Sequence, residues 1–181
     1  MKRNGAVKDI MVDIFDFPHI PYWFTIRQAM EILKRVSSGK EKAVVADTIL
    51  VFDEKYNYMG MIRPKDIVIG LEPAILKKTE WTTGGMVEVS RDAQHVSEEA
   101  LASIAERMFG EDAKKQAETQ VNKIMSSSKI SVSPDDSPAK AAYLMAHHNL
   151  SFIPVLENKQ KLVGMLSMPA VFNWVSAVVL E

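Results

Sequence analysis

The sequence predicts a mixed α+β fold in which one unit, a lead-in segment followed by helix, strand, strand and helix, occurs twice. Three observations carry this prediction. Gly60-Met61-Ile62 and Gly164-Met165-Leu166 lie 104 positions apart, each behind an apolar run that closes on an acid: Ile49-Leu50-Val51-Phe52-Asp53 and Ile153-Pro154-Val155-Leu156-Glu157. Upstream of each run is a helix start, at Thr25 and at Ser137. Farther upstream, Val7-Lys8-Asp9-Ile10-Met11 answers to Val121-Asn122-Lys123-Ile124-Met125. A repeat of this length occurring only twice points to one pseudo-symmetric unit, not to a solenoid.

In the first copy, Thr25 and Gln28 form a capping box, and Ile26, Ala29, Met30, Leu33 and Val36 follow at helical spacing. The polar stretch 55–57 between the acid and Gly60 then reads as the turn of a β-hairpin. Pro64 stands at the start of the next helix, where its missing N–H costs nothing. The stretch 71–120 has no counterpart and reads as a helical insertion that packs one face on the unit or on a partner. In it Trp81-Thr82-Thr83-Gly84-Gly85 is a loop, and Ser97 caps a helix with Glu98 and Glu99 in its first turn. Leu101, Ile104, Ala105, Met108 and Phe109 share one face of that helix, Gly110 ends or bends it, and 112–120 is a second, polar helix. The second copy opens its helix with Ser137-Pro138 and buries Ala141, Ala142 and Met145. Its hairpin turns at 158–161, and Pro169 marks the last helix. The chain thus divides into 1–70, an insertion at 71–120, and 121–181.

Composition narrows the function. With 22 Lys and Arg against 23 Asp and Glu, the net charge is −1, so no basic excess is available to neutralise nucleic acid. There is no cysteine, which excludes disulfides, thiolate zinc sites and cysteine nucleophiles. The N-terminal residues are basic without an apolar run behind them, and the apolar stretch 171–180 is shorter than the roughly 20 residues a bilayer takes. The expectation is a cytoplasmic protein that engages neither membrane nor nucleic acid.

The ordered pieces VKDIM, TIRQAMEIL, ILVFDEKYNYMGMI and RPKDI resemble one motif of the cystathionine-beta-synthase (CBS) type. VNKIM, SPAKAAYLM, FIPVLENKQKLVGML and SMPAV resemble another. The likeness covers 7–70 and 121–178 and omits the insertion. It implies two β-α-β-β-α halves packed through their sheets about a pseudo-two-fold axis (a Bateman module), with a cleft at each strand-to-helix junction. It further implies a homodimer, an adenosine-containing ligand such as AMP, ADP, ATP or S-adenosylmethionine, no required cofactor, and control of an effector protein. The family's junction signature is a glycine, a hydroxyl residue and, one turn into the helix, an aspartate. The first copy carries Gly60, Arg63 and Asp66, with arginine in place of the hydroxyl; the second carries Gly164, Ser167 and Ala170, with the acid gone. The resemblance therefore favours the first cleft, and brings Lys129 and Ser131 from the opposite half's lead-in over it.

The junction has a physical reading of its own. A strand running straight into a helix presents free N–H groups to an anion, and a guanidinium forks onto phosphate. Asp66 also fits as an ordinary carboxylate at the positive end of the helix dipole, Arg63 as an exposed strand-end cation, and Ser167 as an N-cap. His147 and His148 are adjacent on a helix, about 100° apart, and so are poorly placed to share a metal. His19 lies in the extended aromatic segment 17–24, which either packs on the core or walls the second cleft. The eleven methionines fit as core filler. No catalytic constellation stands out, so the expected function is regulatory ligand sensing without enzymatic activity. The alternative is a structural dimerisation or partner-docking module with a degenerate cleft.

Overall fold

The computed structural model describes residues 5–38, 47–76, 98–127 and 129–180. In the first half, strands β1 (Val12–Asp13) and β2 (His19–Pro21) lead to helix α1 (Ile26–Ser37), then to strands β3 (Ile49–Phe52) and β4 (Tyr58–Ile62) and helix α2 (Pro64–Leu71). The insertion supplies α3 (Glu98–Phe109) and α4 (Glu111–Gln116). Helix α5 (Pro138–His147), strands β5 (Phe152–Glu157) and β6 (Lys161–Ser167) and helix α6 (Met168–Val179) form the second half.

Local chemistry sets the helix starts. Thr25 Oγ1 accepts the Gln28 N–H and Gln28 Oε1 accepts the Thr25 N–H, the reciprocal pair expected from the sequence. Ser137 Oγ accepts the Lys140 N–H ahead of Pro138. Helix α1 buries Ile26, Ala29, Leu33 and Val36, whereas Met30, which shares their spacing, is 42% exposed.

Two small sheets result, one in the order β2-β3-β4 and one in the order β1-β6-β5. Both are extended by isolated bridges, Ser126 on Met61 and Val132 on Val155. The repeat reaches into fine detail, because the register slips at Val51/Phe52 in one hairpin and at Val155/Leu156 in the other.

The lead-in segments cross over. Val7, Ile10 and Met11 pack into the second half's core with Met145, Ile153 and Leu166. Val121, Ile124 and Met125 pack into the first half's core with Ile26, Ile49 and Ile62. A third cluster of Leu50, Phe52, Met61, Leu162 and Met165 closes the space between the sheets. Glycine is required where each crossing segment lies on its strand. A Cβ on Gly60 would sit 2.7 Å from the Ser126 carbonyl oxygen, and one on Gly164 would sit 2.6 Å from that of Val12.

The insertion differs in part from expectation. Helix α4 ends at Gln116, short of the expected 120, because the Ala117 and Thr119 carbonyls turn to accept the Arg27 and Ile26 N–H groups at the start of α1. Helix α3 is tied to the end of α2 by Arg107, whose Nε donates to Glu72 Oε2 at 2.8 Å. Of the apolar face expected on α3, Leu101, Ala105 and Phe109 are exposed while Ile104 and Met108 are half-buried. Gly110 stands at the N-cap of α4, so the bend expected there is present. The expected loop at 81–85 and the Ser97 cap lie outside the described residues.

Candidate functional site

The junction of β4 and α2 positions the site. Arg63 is the extended residue before the helix (φ −122°, ψ 164°) and Pro64 occupies the first turn. Arginine has no side-chain acceptor with which to cap a helix. Instead the Asp66 carboxylate reaches back: its Oδ2 accepts the Arg63 backbone N–H at 2.9 Å and Arg63 Nε–H at 3.2 Å. Asp66 is 7% exposed. The ion pair is therefore half inside, with the guanidinium on the solvent side.

A third residue completes the arrangement. Ser126, immediately after the crossing lead-in, exchanges both backbone hydrogen bonds with Met61, each at 2.9 Å. That pairing aims its hydroxyl at α2, where Oγ donates to Asp66 Oδ1 at 2.8 Å and accepts from Arg63 Nη2 at 3.3 Å. Beside this triad opens a cavity of about 580 Å³. One wall is α2, with Arg63, Lys65, Asp66 and Gly70; the other is the chain running into the second half, with Thr119, Lys123, Ile124 and Ser126. Three cations, Arg63, Lys65 and Lys123, thus line the cavity, and its one carboxylate, Asp66, is already paired. Cations of this kind suit an anion.

The remaining residues singled out in the sequence lie elsewhere. Lys129 is exposed and Ser131 half-buried, and neither lines the cavity. Ser167 caps α6, its Oγ accepting the Ala170 N–H at 3.3 Å, and belongs to the second junction. There Val12 pairs with Met165 as Ser126 pairs with Met61. Ser126, Lys65 and Lys123 were not singled out. The signal for Ser126 was the repeat itself: it directly follows VNKIM, the segment matched to VKDIM.

Nearby side chains have settled roles. The Ile14 carbonyl can only accept, so His19 Nε2 donates to it at 2.6 Å and Nδ1 accepts the Tyr56 hydroxyl at 2.6 Å. His19 also lies 5.1 Å from the Phe52 ring, in an aromatic group on the hairpin β3–β4. The Tyr58 hydroxyl is buried without a hydrogen-bond partner among the described residues. Burial pushes that phenol well above its usual range, with Arg63 pulling weakly the other way. His147 and His148 stack edge to face at the end of α5, and no cluster among the described residues is suited to a metal. No helix among the described residues is long and apolar enough to cross a membrane.

Comparison with known proteins agrees with this architecture. A family model described as CBS domain matches residues 121–177. No curated protein sequence matches. Among solved structures, the chain is similar to CBSX2 in complex with AMP (17% identity, 96% of this chain and 98% of the other, TM-score 0.58). It is also similar to a CBS domain-containing protein of unknown function from Bacillus anthracis str. Ames Ancestor (20% identity, 96% and 94%, TM-score 0.60). A third is the CBS domain pair of protein MJ0100 in complex with 5′-methylthioadenosine and S-adenosyl-L-methionine (17% identity, 96% and 97%, TM-score 0.56). Residues 121–177 match a CBS domain by sequence, the first half repeats that fold, and the chain as a whole is thus similar in fold to CBS-domain pairs.

Proposed function

We propose that this chain is a regulatory module without catalytic activity of its own. It binds an adenine nucleotide or a related adenosyl compound at the Arg63–Asp66–Ser126 junction and passes that event to a partner protein. The observation that carries this reading is the cavity beside the triad, with Arg63, Lys65 and Lys123 on its walls. The similar folds of CBSX2 and the MJ0100 pair hold AMP, 5′-methylthioadenosine and S-adenosyl-L-methionine, which sets the ligand class to try first. The partner's response is supported only in that Ser126 belongs to the segment that joins the two halves. We assign the module to the cytoplasm and to a homodimer.

The test is a melt in the presence of AMP, ADP, ATP and S-adenosylmethionine. A ligand at 100 times its Kd adds about 2.7 kcal/mol, which raises Tm by several degrees. Arg63→Ala and Asp66→Ala should remove that rise. A flat response to all four compounds overturns the sensing role.

A docking role is favoured by a different surface. Helix α6 carries no charged residue, and Phe172, Val175 and Val179 lie exposed at helical spacing. If this face holds two copies together, Phe172→Glu converts a dimer to a monomer in light scattering without disturbing the melt.

A further inference from the structure

The cavity beside the junction carries an uneven charge. Arg63 and Asp66 form an ion pair at 3.2 Å, so their charges offset each other. Lys65 on α2 and Lys123 on the facing wall line the same cavity, and among the described residues neither has a carboxylate partner. Asp66 is the sole acid among the described residues that line it. The positive excess is therefore local, one ammonium group on each wall, in a chain whose net charge is −1. An ammonium group is a compact point charge, and its attraction for an anion grows with the anion's charge. In a concave site charges of one sign act together on whatever enters.

We propose that this cavity chooses among adenosyl compounds by negative charge, and that Lys65 and Lys123 set the choice: a nucleoside di- or triphosphate is preferred to a monophosphate, and S-adenosylmethionine is turned away. The inference rests on the adenosyl-binding reading above and names the ligand class within it. A monophosphate offsets only part of an excess spread over two walls. Each further phosphate adds negative charge, which both lysines attract. S-adenosylmethionine brings a sulfonium and an ammonium cation against one carboxylate, so its net charge is repelled by the same two lysines.

Isothermal titration with AMP, ADP, ATP and S-adenosylmethionine in magnesium-free buffer tests this. Wild type should bind ATP about ten-fold more tightly than AMP, with ADP between them and S-adenosylmethionine weakest. Lys65→Gln and Lys123→Gln should each narrow the ATP-to-AMP ratio to about three-fold, and together to about one. Lys65→Arg and Lys123→Arg keep the charge and should keep the ratio. Lys34→Gln, on the exposed side of α1, removes the same charge from the chain without touching the cavity and should leave the ratio as in wild type. Raising salt from about 50 to 200 mM should weaken ATP more than AMP, a reading on wild type that holds even where a lysine variant does not fold. ATP and AMP binding wild type within about two-fold, S-adenosylmethionine matching ATP, a ratio indifferent to salt, or one that survives the double glutamine variant, would each overturn selection by charge and leave adenosyl binding standing. If none of the four compounds binds, the cavity is no adenosyl site, and the selection falls with it.

Discussion

The two strand-to-helix junctions share a backbone and differ in chemistry at three matched positions. At the first, Arg63, Asp66 and Ser126 form a closed polar triad; at the second, the same places hold Ser167, Ala170 and Val12. The acid and the hydroxyl that faces it are replaced together, by alanine and valine. A buried carboxylate without its donor costs more than no carboxylate at all, so these two positions are constrained as a pair. What remains common to both junctions is the glycine beneath the crossing segment. The fold therefore depends on the glycine and the crossing, while the polar triad is an addition that only one junction carries.

The strongest way to break this comparison is at the shared glycines. Gly60→Ala and Gly164→Ala each drive a Cβ into a backbone oxygen, and each should cost about 2–3 kcal/mol, seen as a Tm lower by several degrees. Unequal losses would show that one crossing is looser than the other. Next comes the triad. A double-mutant cycle of Asp66→Ala with Ser126→Ala in urea should give a coupling of about 1–2 kcal/mol. Grafted onto the second junction, Ala170→Asp alone should destabilise, and adding Val12→Ser should recover about 1 kcal/mol.

A smaller contrast lies in the hairpin turns. Asp53 accepts the Asn57 side-chain and backbone N–H groups and the Lys55 N–H, and these donors hold its carboxyl below the ordinary 3.8. The second turn places two residues, Asn158 and Lys159, in left-handed conformations (φ 52° and 60°), where the first turn places only Tyr56 (φ 61°). A depressed folded value stabilises above the unfolded one and is lost as pH falls through it. The Tm gap between wild type and Asp53→Ala should thus be full at neutral pH and close as pH drops below 3.8. The least effect belongs to the exposed pairs Lys8–Asp135 and Arg27–Glu118, where Lys8→Ala or Arg27→Ala should move Tm by no more than about a degree.

Much of this was legible in the sequence because it is local. Thr25 and Gln28, Ser137 and Pro138, and the paired GMI and GML strands announce helix starts and hairpins through near-neighbour chemistry. Arg63 and Asp66 were legible for the same reason, being three residues apart on one helix start. Ser126 was not, because its partner lies 60 positions away and only the crossing brings them together. Helix α4 was overestimated for a related reason: the tertiary bonds from α1 to Ala117 and Thr119 end it where its own residues would continue. The exposed face of α3 shows the converse, an amphipathic pattern that the described residues leave partly uncovered.

The exchange of lead-ins also bears on how the chain comes to be folded. The first half's interior is filled only when Val121, Ile124 and Met125 lie against Ile26, Ile49 and Ile62. A fragment stopping before that point would leave a hole beneath Ile26 and Ile62, so the first half's interior is complete only with residues that follow the insertion.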